Sequence, residues 1–193
     1  MTRGFASGLV LLALAAAPAQ DARESAKGKP RLELSEARRD GGRVAVSFRL
    51  ANVLDEEALE QMRSGVPVVY RHRLEVLGRR RVFWPSKEHA SMRIVTSAVY
   101  DSLTQRYELL RTIEPGKRRD RGRPPLEERT QTESIEKVRA WMTEFDQLPA
   151  LELPGTARDV PLRVRVHSTL GRHYVLFLIP TRIDVSAERR LEP

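Results

Sequence analysis

Between Val66 and Leu77 the chain reads VPVVYRHRLEVL, with Val66, Val68, Tyr70, His72, Leu74 and Val76 at even positions and Val69, Arg71, Arg73 and Glu75 at odd ones. Successive side chains of a strand point to opposite faces, so this period of two specifies a central strand with one face on a core and an arginine-bearing face in water. Pro67 costs a ladder donor and belongs at a strand beginning or edge. The same alternation recurs along the chain. Leu32 and Leu34 alternate with polar residues, Asp40-Gly41-Gly42 signals a turn, and Val44, Val46, Phe48 and Leu50 return on one face, with Arg43, Ser47 and Arg49 expected in solvent. Ser91 to Tyr100 places Met92, Ile94, Thr96, Ala98 and Tyr100 on one side, and Tyr107, Leu109 and Ile113 follow in register after a turn at Asp101-Ser102. Arg93, Val95, Ser97 and Val99 make the other face of that pair half apolar, so a cover such as a helix is expected on each side. Val160, Leu162, Val164 and Val166 alternate with Arg163, Arg165 and His167. Gly171 permits a bend before Tyr174 to Ile179 (YVLFLI), an apolar run that reads as a strand buried on both faces.

Two segments break this period. Leu54, Ala58, Leu59 and Met62 form a helical stripe that Asn52 or Asp55 can cap, with Glu56 and Glu57 in its first turn and Gly65 as its stop. Thr130 and Glu133 have capping-box spacing before a second helix whose face carries Ile135, Val138, Met142 and Phe145, with Trp141 beside them and Leu148-Pro149 at its end. The expected fold is therefore mainly β with two helices: an antiparallel sheet or β-sandwich of about seven strands, for which an immunoglobulin-like arrangement is one form.

The chain of 193 residues suits one domain. Arg3, the uncharged apolar run from Phe5 to Ala17 and the small-x-small Ala17-Pro18-Ala19 spell a secretory signal peptide over residues 1–19, which places the protein in the periplasm, an uncleaved anchor being the alternative. No later segment approaches a membrane span. Residues 20–30 read as a flexible spacer, 31–185 as a single β-rich domain and 186–193 as a charged tail. Within the domain, 114–129 (EPGKRRDRGRPPLEER) is too polar and proline-rich to order itself and reads as a loop insertion. With no Cys there is no disulfide, thiolate metal site or lipid-attachment cysteine, so the core must hold the fold alone.

Lys and Arg outnumber Asp and Glu by 34 to 26, an excess that favours anionic partners only if it clusters in space; just five of the 34 are Lys, so even arginine usage through coding bias is the preferred account. Arg71, Arg73, Arg163 and Arg165 are the candidate face for such a partner. Arg79, Arg80 and Arg81 beside Trp84 make a candidate contact turn, because a guanidinium can stack on an indole as well as pair with an anion; the plainer reading has Phe83 and Trp84 plug the core. His72 falls in an inward position and reads as a core histidine. The four histidines lack ligand spacing and there is no phosphate loop, G-x-S-x-G or H-E-x-x-H, so no catalytic, cofactor-binding or metal residue is assigned and no cofactor is expected.

The segment LDEEALEQMRSGVPVVYRHRLEV, the strand pair ending SLTQRYELL, the helix SIEKVRAWMTEF and the closing VRVHSTL and YVLFLIP together resemble domain-of-unknown-function family 4390, a group of exported bacterial proteins. The likeness implies an exported envelope protein with no assigned activity or functional residue, and GKRRDRGRPP stands as an insertion relative to its pattern. The expected role is non-enzymatic: a module that binds or scaffolds an unknown envelope protein or anionic envelope component, with no specific nucleic acid. The alternative is a hydrolase or carrier with an apolar pocket between sheet and helix, which a deep pocket around His72 holding a paired carboxylate would favour.

Overall fold

The computed structural model describes residues 28–78, 86–116, 124–146, 148–157, 160–175 and 179–191. The described residues form ten strands: β1 (Arg31–Asp40), β2 (Arg43–Ala51), β3 (Val68–Gly78), β4 (Glu88–Asp101), β5 (Arg106–Pro115), β6 (Leu126–Thr132), β7 (Glu144–Phe145), β8 (Leu151–Glu152), β9 (Leu162–Val175) and β10 (Ile179–Leu191). Helix α1 (Glu56–Arg63) leads into β3, and α2 (Ile135–Thr143) joins β6 to β7. Two antiparallel sheets result, one of six strands in the order β10-β9-β3-β4-β5-β6 and one in which β2 pairs with β1, β7 and β8. The mainly β fold with two helices is as the alternation specifies, with ten strands where about seven are expected. Strands β3 to β6 follow one another as neighbours, and β9 returns by a long connection to lie beside β3, the Greek-key move of sandwich proteins.

The alternation around Tyr70 holds: Val68, Tyr70, His72, Leu74 and Val76 are buried, while Arg71 and Arg73 are exposed. Their neighbours across the sheet, Ile94 and Met92 on β4 and Val166 and Val164 on β9, are buried with them. From the other layer Val44, Val46, Phe48 and Leu50 meet this face, with α1 adding Ala58, Leu59 and Met62 and α2 adding Val138 and Met142. Tyr70 Oη donates to the Val53 carbonyl at 2.7 Å, which fixes the approach to α1. Asp55, not Asn52, caps that helix, accepting from the Ala58 amide at 3.0 Å. Asp55→Ala should cost about 1 kcal/mol in urea unfolding, the usual loss of an N-cap acceptor; no change would mean that the first turn is held by other contacts.

Several segments depart from the sequence reading, each for a physical reason. Val66 is 47% exposed because the strand begins only after Pro67. Ser47 is buried rather than solvated, and its hydroxyl donates to the carbonyl of Asp146, the residue that follows the β7 strand paired alongside β2. Thr130 lies in β6, and Ser134 caps α2 instead, accepting from the Lys137 amide at 3.3 Å. Phe145 belongs to β7, which pairs with Phe48 on β2, and not to the helix. Leu126 to Arg129, read as the end of a loop, forms β6 together with Thr130 to Thr132; isolated polar residues order there because β5 supplies a ladder. On the second face of β4, Val95, Ser97 and Val99 are half-buried. The expected tail from Ser186 onward is strand through Leu191, which pairs with Leu162 and is buried. Gly171 has φ +42° within β9, at the point where two residues, Gly171 and Arg172, face Arg182 alone across the pair, so the expected bend is a β-bulge. The side chains of the YVLFLI run lie outside the described residues; its ends, Val175 and Ile179, pair with each other across the β9–β10 hairpin.

Candidate functional site

Three of the four arginines of the candidate face pair across strands with another outward position on the outer side of the six-stranded sheet, Arg71 with Thr169, Arg73 with His167 and Arg165 with Glu75. Arg163, two residues before Arg165 on β9, lies opposite Arg190 on β10 but beside the buried Leu77 on β3. The register places acids between them. Arg73 reaches Glu75 at 2.6 Å and Glu88 at 3.1 Å, while Glu188 takes Arg163 at 2.8 Å and Arg165 at 3.0 Å. Arg93 joins Glu114 at 3.3 Å, and His167 lies 3.6 Å from Asp184. Arg163 also donates to the Ser86 hydroxyl. Of the four, only Arg71 has no ion pair among the described residues. The face is thus a cross-strand lattice of alternating charge, where exposed pairs contribute at most about 1 kcal/mol each and mainly fix register. The candidate contact turn, Arg79, Arg80, Arg81 and Trp84, lies outside the described residues.

His72 sits at the centre of the core. Its Nδ1 is 2.8 Å from Ser168 Oγ, and its ring meets Phe48 and Phe145 edge-on with centroids at 5.5 and 4.6 Å. Phe48 and Phe145 stack on each other at 4.4 Å. Burial lowers the imidazole pKa to about 3, with the Arg111 charge adding to the effect. The ring is neutral at any ordinary pH, has Ser168 and no carboxylate as its hydrogen-bond partner, and is sealed from solvent. That is the environment of a core histidine.

Arg111 is the residue that sequence reasoning missed. It stands in the inward row of β5 between Leu109 and Ile113, and the same period that picked out its two neighbours marks this position as buried. The guanidinium lies over the Trp141 ring at 4.4 Å and the Phe145 ring at 4.9 Å. Nη2 donates to the carbonyls of Trp141 at 2.8 Å and Glu144 at 3.3 Å, at the C-terminal end of α2, and Nη1 pairs with Glu128 at 3.5 Å. A cation suits the negative end of a helix. Arg111 ties α2 to the sheet; desolvation lowers its pKa and Glu128 opposes that shift.

A shallow hollow on the arginine face is lined by Arg73, Glu75, Arg165, His167, Ser186 and Glu188, and a second concave surface lies at the seam between the layers. The smaller layer ends beside β4 in the two-residue β8, whereas the inward row of the larger sheet runs on from His72 and Ile94 to Ile113 and Leu126. This mismatch in width opens a cleft of about 900 Å³, floored by Met92, Ile113 and Leu126 and walled by Pro149, Leu151 and Pro154. Leu126 is 49% exposed there, a large apolar side chain in water at the rim. No signal in the sequence could find this site, because its walls come from segments far apart in the chain and their composition is that of ordinary loops. Among the described residues no group of three His, Asp or Glu could hold a metal, and no helix is long and apolar enough to cross a membrane.

No curated protein and no solved structure matches the chain. The family model described as Domain of unknown function (DUF4390) matches residues 29–174, from the residues before β1 to the end of β9. The chain belongs to that family.

Proposed function

We propose that the protein is an exported, non-enzymatic binding module of the cell envelope that holds another envelope component at the seam cleft. The observation that carries this reading is the cleft itself: about 900 Å³, lined by alkyl and prolyl side chains together with Lys87, Glu88, His89 and Glu152. Such a surface offers shape and apolar area, the means by which proteins hold a partner or ligand. His72, buried with Ser168 as its hydrogen-bond partner and not part of the cleft lining, removes the main reason for preferring a hydrolase. The signal-like start of the sequence supports export.

A second reading places an anionic partner on the arginine face. Arg71, exposed and without an ion pair among the described residues, favours it; the interleaved glutamates weaken it. One experiment separates the two: recovery of bound envelope components from an extract by the intact protein, by Ala150→Trp, which fills the cleft from an exposed wall position, and by a variant reversing the charges of Arg71, Arg73, Arg163 and Arg165. The cleft reading expects Ala150→Trp to lose the partner and charge reversal to keep it. The opposite pattern overturns the cleft and supports the face.

A further inference from the structure

The two edges of the six-stranded sheet differ. β10 lies along β1, and Arg189 donates to the Ser35 carbonyl across that edge. β6 pairs with β5 on one side and with no other strand among the described residues. From Leu126 to Thr132 it has no proline, lysine or register shift, the devices that keep an open edge from pairing. We infer that this edge pairs with β6 of a second copy of the chain, antiparallel about a two-fold axis at Glu128. The inference is independent of the cleft as a binding surface.

Register decides which groups the edge offers. The Gly116 N–H donates to the Ser91 carbonyl at 2.7 Å, one step beyond the Met92 and Pro115 pair. Antiparallel neighbours alternate between bonded and non-bonded pairs, so Glu114, Thr112 and Leu110 turn their main-chain groups to β4, and Ile113, Arg111 and Leu109 turn theirs to β6. Opposite these stand Leu126, Glu128 and Thr130, whose main-chain groups are thereby engaged. Glu127, Arg129 and Gln131 present N–H and C=O to the open edge, and all three are exposed.

Charge then selects the occupant. An antiparallel strand that sets a base opposite Glu127 and an acid opposite Arg129 must read acid-x-base along its own direction. β6 itself reads that way, as Glu127-Glu128-Arg129. Two copies centred on Glu128 set Glu127 of each against Arg129 of the other, at the positions that also exchange main-chain hydrogen bonds. Neither side chain has an ion pair among the described residues. Glu128 meets its own mate on the inner face, where Arg111 lies 3.5 Å from each, so that row carries as many cations as anions. Leu126, 49% exposed, comes opposite Thr130 of the second copy and loses part of its contact with water.

Sedimentation equilibrium of the full chain over a concentration series tests this, with far-UV circular dichroism as the check on folding. The parent should show a monomer–dimer equilibrium that weakens as salt is added. Glu127→Arg and Arg129→Glu should each weaken the dimer at least about tenfold, because each sets like charges opposite one another. The double variant should regain the parent's affinity, and an equimolar mixture of the two single variants should form a heterodimer. Arg129→Pro removes an edge N–H and leaves the ladder to β5 intact, so it should abolish the dimer where Arg129→Ala only weakens it. If the proline variant does not fold, the charge variants carry the test. Amide exchange at Glu127, Arg129 and Gln131 should slow as concentration rises, while Glu128 and Thr130 are protected throughout. A chain that stays monomeric, a dimer indifferent to these changes, or single variants rescued neither by the swap nor by mixing would each overturn the inference. Capture of a foreign extended peptide on β6 by a chain that remains monomeric would overturn it too.

Discussion

Lowering the pH from 7 to 3 should remove roughly 4 kcal/mol of folding stability through His72 alone. In the folded protein its pKa is lowered from 6.5 to about 3, by burial first and by the Arg111 charge second. Between these values the unfolded chain binds a proton on this side chain and the folded chain does not. Acid therefore favours unfolding: the contribution is complete above about 6.5 and is lost progressively as the pH falls toward 3. Urea denaturation at stepped pH measures the slope. His72→Gln keeps a group able to meet Ser168 Oγ but cannot titrate, so its stability should depend much less on pH. Asp101 and Glu136, whose pKa values are lowered by hydrogen bonds to Leu103 and Ser134 respectively, act in the same direction and remain in both proteins. A His72→Gln protein with the slope of the parent would show that the imidazole is not the source.

Arg111→Ala should be the most damaging change to a charged residue, costing about 3 kcal/mol. It strips the donor from the Trp141 and Glu144 carbonyls and removes the cation from over two aromatic rings. Arg111→Lys should recover less than half of the loss, because an ammonium cannot fork to two carbonyls while lying flat on an indole. Arg111→Met, which keeps the apolar stem, separates packing from charge. Urea unfolding followed by far-UV circular dichroism gives the three values. Equal stability of the lysine variant and the parent would reduce Arg111 to a plain point charge.

The difference between what was legible in the sequence and what was not has a consistent cause. Strands whose inward residues are apolar, as in Val44 to Leu50, or apolar but for one, as in Val68 to Val76 with His72, declare themselves through local alternation. Glu188, Arg189 and Arg190 carry no apolar pattern, yet they are strand because β9 provides the partner, a long-range fact. Thr130 loses the helix cap to Ser134 for a similar reason: it is committed to the ladder with Leu109. At the candidate sites, one face for Arg71, Arg73 and Arg165 follows from parity, but the glutamates that neutralise Arg73, Arg163 and Arg165 come from strand order. Arg111 was hidden by the expectation that a guanidinium faces water, which its stacking and helix-end carbonyls override. The cleft depends on the unequal widths of two layers, and no window of sequence contains that.

The first and last strands of this fold touch: β1 lies along β10, where Arg189 Nη1 donates to the Ser35 carbonyl at 3.0 Å. The core cannot close on this flank until β10 has been made, because the Arg189–Ser35 contact joins residues 154 positions apart. Contacts so distant along the chain imply slow, late folding. A carrier that keeps the unfinished polypeptide from aggregating would matter more here than for a protein assembled from local hairpins.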